Sequence, residues 1–204
     1  MSRPGLLLWL CLLPGLALAQ ERPAPVPTEP PADLTAHRHV GVYFHVDLGP
    51  GFFIAQAGGG EFGSAAYGIP AIFSVALGGA IAEDWILAGE IWGAALLSPM
   101  SSNGRVVLSG FGVNVTHYFM PANVFLTLTP SATVLIVDNG FGSTERTQVG
   151  LGTRLALGKE WWVGDHWGLG IAIQGYLGIN ADRGATPTTW WTMGGGILFS
   201  ATYN

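Results

Sequence analysis

Cysteine, charge and long apolar runs are all scarce in this chain, and each shortage excludes something. Cys11 is the sole cysteine among 204 residues. It sits in the first dozen positions, so the rest of the chain has no disulfide and no thiolate metal site. Charged residues make up only 10%, the net charge is -5, and the basic residues form no stripe. No nucleic-acid partner is therefore expected. After the N-terminal segment no stretch reaches the roughly 20 apolar residues that a spanning helix needs, because glycines, threonines and charges interrupt each candidate. Yet the mean hydropathy of +0.40 is high for an ordinary soluble domain. Lipid tolerates only helices and closed barrels, which leaves a membrane barrel or an unusually apolar soluble β-core.

What is present begins with an export signal. Met1 to Arg3 form a short positive region, Leu6 to Leu16 an apolar one, and Ala17-Leu18-Ala19 a small-x-small cleavage pattern. Cleavage is predicted after Ala19, which removes Cys11 with residues 1–19. Lipid attachment at Cys11 is disfavoured by the bulky Leu10 before it and the short apolar segment ahead. Residues 20–36 follow as a proline-rich periplasmic leader, with Pro23, Pro25, Pro27, Pro30 and Pro31 among acidic residues. Residues 37–204 form the remaining domain.

Within that domain, Val149 to Trp161 carries the clearest pattern. Val149, Leu151, Thr153, Leu155 and Leu157 alternate with Gly150, Gly152, Arg154, Ala156 and Gly158. A soluble strand with one apolar face would place long polar residues on the other. Here the second face is tiny apart from one arginine, as expected for a strand with lipid outside and a narrow lumen inside.

The same alternation recurs in eight runs: Val40 to Leu48 continuing to Ala55, Ala71 to Ile81, Trp85 to Leu97, Val106 to Phe119, Val124 to Val137, the run just described, Trp167 to Ile179, and Thr189 to Asn204. Gly49-Pro50-Gly51 and Pro130 suggest bends or bulges within their runs. The separators alternate in length. Short turns lie around Ala82 to Asp84, Met120 to Asn123 and Gly164-Asp165; long loops span Gly58 to Gly68, Ser98 to Arg105, Asp138 to Thr147 and Asn180 to Thr188. In outer-membrane barrels the short turns are periplasmic, so the long loops are expected outside. Trp85, Phe119, Trp161, Trp162, Trp167 and Tyr203 cluster beside the short turns or the C-terminus, where an interfacial aromatic girdle belongs. Phe52, Phe53 and Trp191 lie toward the opposite rim.

Taken with the signal segment and the closing GGGILFSATYN, these runs resemble the small OmpA/OmpX/OmpW-like outer-membrane β-barrels of Gram-negative bacteria, over roughly His39 to the end. The resemblance implies an all-β fold, an eight-stranded antiparallel up-and-down transmembrane β-barrel surrounded by outer-membrane lipid and inserted by the outer-membrane assembly machinery. Such chains commonly finish on an aromatic residue, whereas this one ends Tyr203-Asn204.

Asp47, Glu90, Asn114, Arg154 and Gln174 fall on the lumen face near the middle of their runs and are expected to form one polar network. A buried arginine needs a partner, and Glu90 or Asp47 can supply it. Tyr43, Trp92 and Tyr176 on the same face are expected to block the bore, which in an eight-stranded barrel is only wide enough for side chains. No catalytic residue is assigned. His45 and Asp47 share a face, but alternation alone accounts for that, and no lipase or acyltransferase motif accompanies them. The histidines at 37, 39, 117 and 166 have no metal-ligand spacing and read as interfacial polar residues. The glycine triplets at 58–60 and 194–196 lack the lysine and helix of a phosphate loop. Neither a cofactor nor a metal is expected. The function expected is structural, or interaction with a ligand of the extracellular loops. The alternatives are a narrow or gated small-solute passage through the lumen, and a soluble periplasmic barrel that binds an apolar ligand, in which every strand is turned inside out.

Overall fold

The computed structural model describes residues 38–58, 65–100, 104–138, 140–183 and 188–204. The expected signal peptide (1–19) and leader (20–36) lie outside the described residues, as do parts of the four long loops. Ten strands are seen: β1 (Val42–Ala57), β2 (Ala65–Gly68), β3 (Ala71–Ala82), β4 (Trp85–Leu96), β5 (Arg105–Phe119), β6 (Val124–Asp138), β7 (Thr144–Arg146), β8 (Gly150–Trp162), β9 (Trp167–Ala181) and β10 (Thr189–Tyr203). Among the described residues there is no helix.

Eight of these strands close on themselves. Each pairs antiparallel with its neighbour in the order β1-β3-β4-β5-β6-β8-β9-β10, and β10 returns to β1 from Phe44↔Tyr203 to Ala57↔Trp190. Closure leaves no free edge, which is what a strand-built wall in hydrocarbon requires. β2 and β7 lie within the first and third long loops and lengthen the wall beside β1 and β6, respectively. Neither interval shows alternation, so both read as loop in the sequence.

Neither Gly49-Pro50-Gly51 nor Pro130 introduces a bulge. Along β1, Leu48↔Phe199 and Gly51↔Gly196 keep one register, and β6 does the same from Gly112↔Ser131 to Val115↔Leu128. The ladder skips the pairs nearest Pro50 and Pro130, whose nitrogens have no hydrogen to donate, but no residue is inserted. The register shift lies instead between β3 and β4, at Ala80/Ala82. Beyond it Asp84 (φ 60°) makes the tight turn, and Asn123 (φ 50°) serves the turn between β5 and β6. Asp and Asn are the non-glycine residues that best tolerate this left-handed region.

The wall is inverted relative to a soluble protein. Leu151, Leu155, Ile171, Ile173 and Ile197 are each more than half exposed, whereas Asp47, Glu90, Arg154 and Asn114 are at most 1% exposed. Exposed large apolar side chains continue around the barrel as a belt, including Phe111, Val113, Leu128 and Phe199. A soluble barrel with an apolar interior would place both sets the other way round.

Candidate functional site

Alternation sends every second residue of each strand into the bore, and the bore sorts them into three layers. Toward the long-loop end the filling is apolar: Phe53, Ile72, Leu96, Val106, Leu108 and Leu135 are all 0–1% exposed. The middle is polar. Toward the short turns lies an aromatic floor of Tyr43, Tyr118 and Phe125, each 0–1% exposed.

Arg154 organises the middle layer. It leaves β8 and crosses the bore to β4 and β1 on the opposite wall, donating from Nη1 to Glu90 Oε1 at 2.7 Å and from Nη2 to Asp47 Oδ2. Its Nε donates to Gln174 Oε1 at 2.6 Å. Glu90 Oε2 also accepts from Asn114 Nδ2 at 2.9 Å and from the Thr129 hydroxyl, while Ser74 Oγ donates to Asp47 Oδ2 at 3.0 Å. All five residues expected in the network therefore meet, and Arg154 holds both carboxylates. A buried guanidinium with fewer acceptors would leave its desolvation uncompensated.

The network extends further toward the short turns than the sequence reading took it. His45 Nε2 lies 3.0 Å from Asp47 Oδ1, and its Nδ1 lies 2.7 Å from Thr202 Oγ1. Glu160, 1% exposed, accepts from Ser200 Oγ and Thr202 Oγ1, both at 2.6 Å. With the Thr202 proton committed to Glu160, both imidazole nitrogens of His45 face acceptors. Carrying the alternation three steps on from Arg154, through Ala156 and Gly158, reaches Glu160; that signal was available. Above the network Trp92 is fully buried and donates from Nε1 to Ser131 Oγ at 2.8 Å.

Around the outside, Trp85, Phe119, Trp161, Trp167 and Tyr203 stand 38–52% exposed beside the short turns. Trp162 does not join them. Consecutive strand residues point to opposite faces, so with Trp161 outward Trp162 turns toward the floor, where its ring lies 5.1 Å from His39. Phe53 likewise points inward while Phe52 and Trp191 point out. His39, expected as an interfacial polar residue, is buried instead. Its ring stacks on Tyr118 at 3.4 Å and its Nε2 lies 2.8 Å from Asn123 Oδ1. Removal from water holds its pKa below the ordinary histidine value, against a weaker opposing effect of the Asn123 bond. Its Nδ1 meets the Asn204 side-chain amide, and the Asn204 N–H donates to His166 O at 3.0 Å. The C-terminal asparagine is thus tied into the floor, with Tyr203 outward beside Trp167.

Among the described residues no group of three or more His, Cys, Asp and Glu side chains is arranged to hold a metal ion. The filled, inverted, closed eight-strand barrel matches Neisserial surface protein A at 17% identity, over 80% of this chain and 96% of that one, with a TM-score of 0.55. The fold is that of a small outer-membrane barrel. Solved structures at lower overlap include OprG from Pseudomonas aeruginosa (10% identity, 83% of this chain and 99% of that one, TM-score 0.47) and the attachment invasion locus protein Ail of Yersinia pestis (11%, 79% and 99%, TM-score 0.46). No protein-family model and no curated protein matches the chain.

Proposed function

We propose that the chain is an integral outer-membrane protein, exported by a cleaved N-terminal signal, with a structural or surface-interaction role carried by its extracellular loops. The observation behind this reading is the inversion of the wall: an apolar belt outside, and an interior whose middle layer is cross-braced by Arg154, Glu90 and Asp47. A side-chain-filled interior offers solutes no standing path, so contact with the surroundings falls to lipid, to the assembly machinery during insertion, and to the loops.

Two measurements test this together. Membrane fractionation should recover the protein with outer membranes, as a band whose gel mobility changes on heating. Single cysteines at Leu155 and Ile173 should react with a lipid-phase probe, while cysteines at the inward Ala156 and Ala172 stay unreactive. No lipid-phase reaction at Leu155 and Ile173, with the cysteines at Ala156 and Ala172 labelled by a water-soluble maleimide, would select the soluble, inside-out barrel instead.

A further inference from the structure

At the long-loop end, a cavity of about 350 Å³ opens among β7, Asp182 and Arg183 after β9, and Trp190 on β10. That volume sits at the small end of the roughly 300–1,000 Å³ typical of small-molecule sites. Its walls are tied together by backbone. β7 pairs onto β6 through Val137↔Glu145, Gln148 N donates to Ala181 O at 2.8 Å, and Asp182 N donates to Thr188 O at 2.9 Å. The Gln148 side chain adds a bond from Nε2 to Asp182 O at 3.0 Å. The half-buried Trp190 indole packs on the barrel core from within this cavity, with Glu145, Arg146, Asp182 and Arg183 around it. Among the described residues Glu145, Arg146 and Arg183 are exposed and form no ion pair.

This chemistry selects a ligand class. Guanidinium groups only donate and carboxylates only accept, so a partner that uses both must itself accept and donate. The two arginines and two acids cancel in formal charge, and a phosphate or sulfate would meet the acids as well as the arginines. An indole adds a flat, rigid, apolar platform with little ordering cost. A ring with an apolar C–H face and hydroxyls on its edge meets all three conditions. We propose that this cavity is a binding site for a hexopyranoside, a single sugar unit of a glycan, with Trp190 beneath the ring and Arg146 and Glu145 on its hydroxyls. The assignment deepens the surface-interaction reading and rests on the loops facing outward.

The test uses the full barrel in lauryldimethylamine oxide, a detergent without sugar. Saturation-transfer NMR is run with the methyl glycosides of a hexose, an N-acetylhexosamine and a hexuronic acid at millimolar concentration. At least one should receive saturation, and Trp190→Ala should abolish it, whereas Trp191→Ala, which alters the lipid face next door, should not. Arg146→Gln and Glu145→Gln, which leave the β7 backbone ladder in place and alter only exposed side chains, should each weaken binding several-fold with heat-modifiable mobility intact. Absence of transfer to all three glycosides overturns the proposal, as does transfer that survives Trp190→Ala. Orientation is checked separately by labelling Arg183→Cys on intact cells with an impermeant maleimide; failure there refutes the outward loops while leaving the detergent result to judge the sugar site.

Discussion

Arg154 is where the energetics of the interior concentrate, because one side chain compensates two buried carboxylates on the far wall. Substituting Arg154→Leu removes the guanidinium and leaves Asp47 and Glu90 facing each other's charge without it. Breaking a buried pair in this way typically costs about 3–5 kcal/mol. Glu90→Gln is expected to cost less, on the order of 1–3 kcal/mol, since the amide oxygen still accepts and Asp47 still holds the arginine. The double variant should lose less than the sum of the two, because the second change acts on a pair already broken. Urea or thermal unfolding in detergent measures all three; strict additivity would dissolve the idea of one network. The five residues that meet here were legible because inward position follows from parity and a buried charge demands a partner. Parity also gives the inward turn of Trp162, which a grouping by sequence proximity to the turns hides. His39 was not legible, since it precedes the first strand and its burial depends on Tyr118, Asn123 and Asn204, which are distant in sequence.

At the scale of strands, small residues are distributed by what stands on the facing side. Gly110 on β5 lies against the Trp92 ring, and a β-carbon there would come within 2.5–2.8 Å of three ring atoms. Gly89 on β4 points outward, and a β-carbon would have nothing nearer than 4.0 Å. Gly110→Ala should therefore displace Trp92, strain its bond to Ser131 and destabilise the barrel by about 1–3 kcal/mol as an overpacked core does. Gly89→Ala should be within about 0.5 kcal/mol of the parent, the usual range for surface changes. Equal effects at the two sites, read from unfolding midpoints, would show that the Trp92 contact does not govern the wall. The eight barrel strands were readable because lipid and lumen impose opposite demands on successive residues. β2 and β7 were not: they reach beyond the barrel layers where those demands apply, and their pairing is backbone alone. The effect of proline was readable only in part. Loss of a donor was inferable from Pro50 and Pro130, but whether the strand answers by a bulge or by skipping a pair depends on its neighbours' hydrogen bonds.

For the whole molecule, two layers in series decide whether anything crosses. The Arg154 network blocks the middle of the bore, and the apolar layer of Phe53, Leu96, Leu108 and Leu135 covers it toward the long loops. Ion passage through the polar layer would still have to cross an apolar constriction, which resists wetting. Opening one layer should therefore leave the other closed. Planar bilayers containing the parent barrel should show no steady large-pore current, and Trp92→Ala, which leaves space above the network but keeps the apolar layer, should show none either. Thinning both layers, with Arg154→Ala and Glu90→Ala in the network combined with Phe53→Ala and Leu108→Ala above it, is the change expected to admit ions, provided heat-modifiable mobility confirms insertion. Steady current through the parent protein would mean that the side chains filling the bore rearrange readily, and it would move the small-solute passage ahead of the surface role.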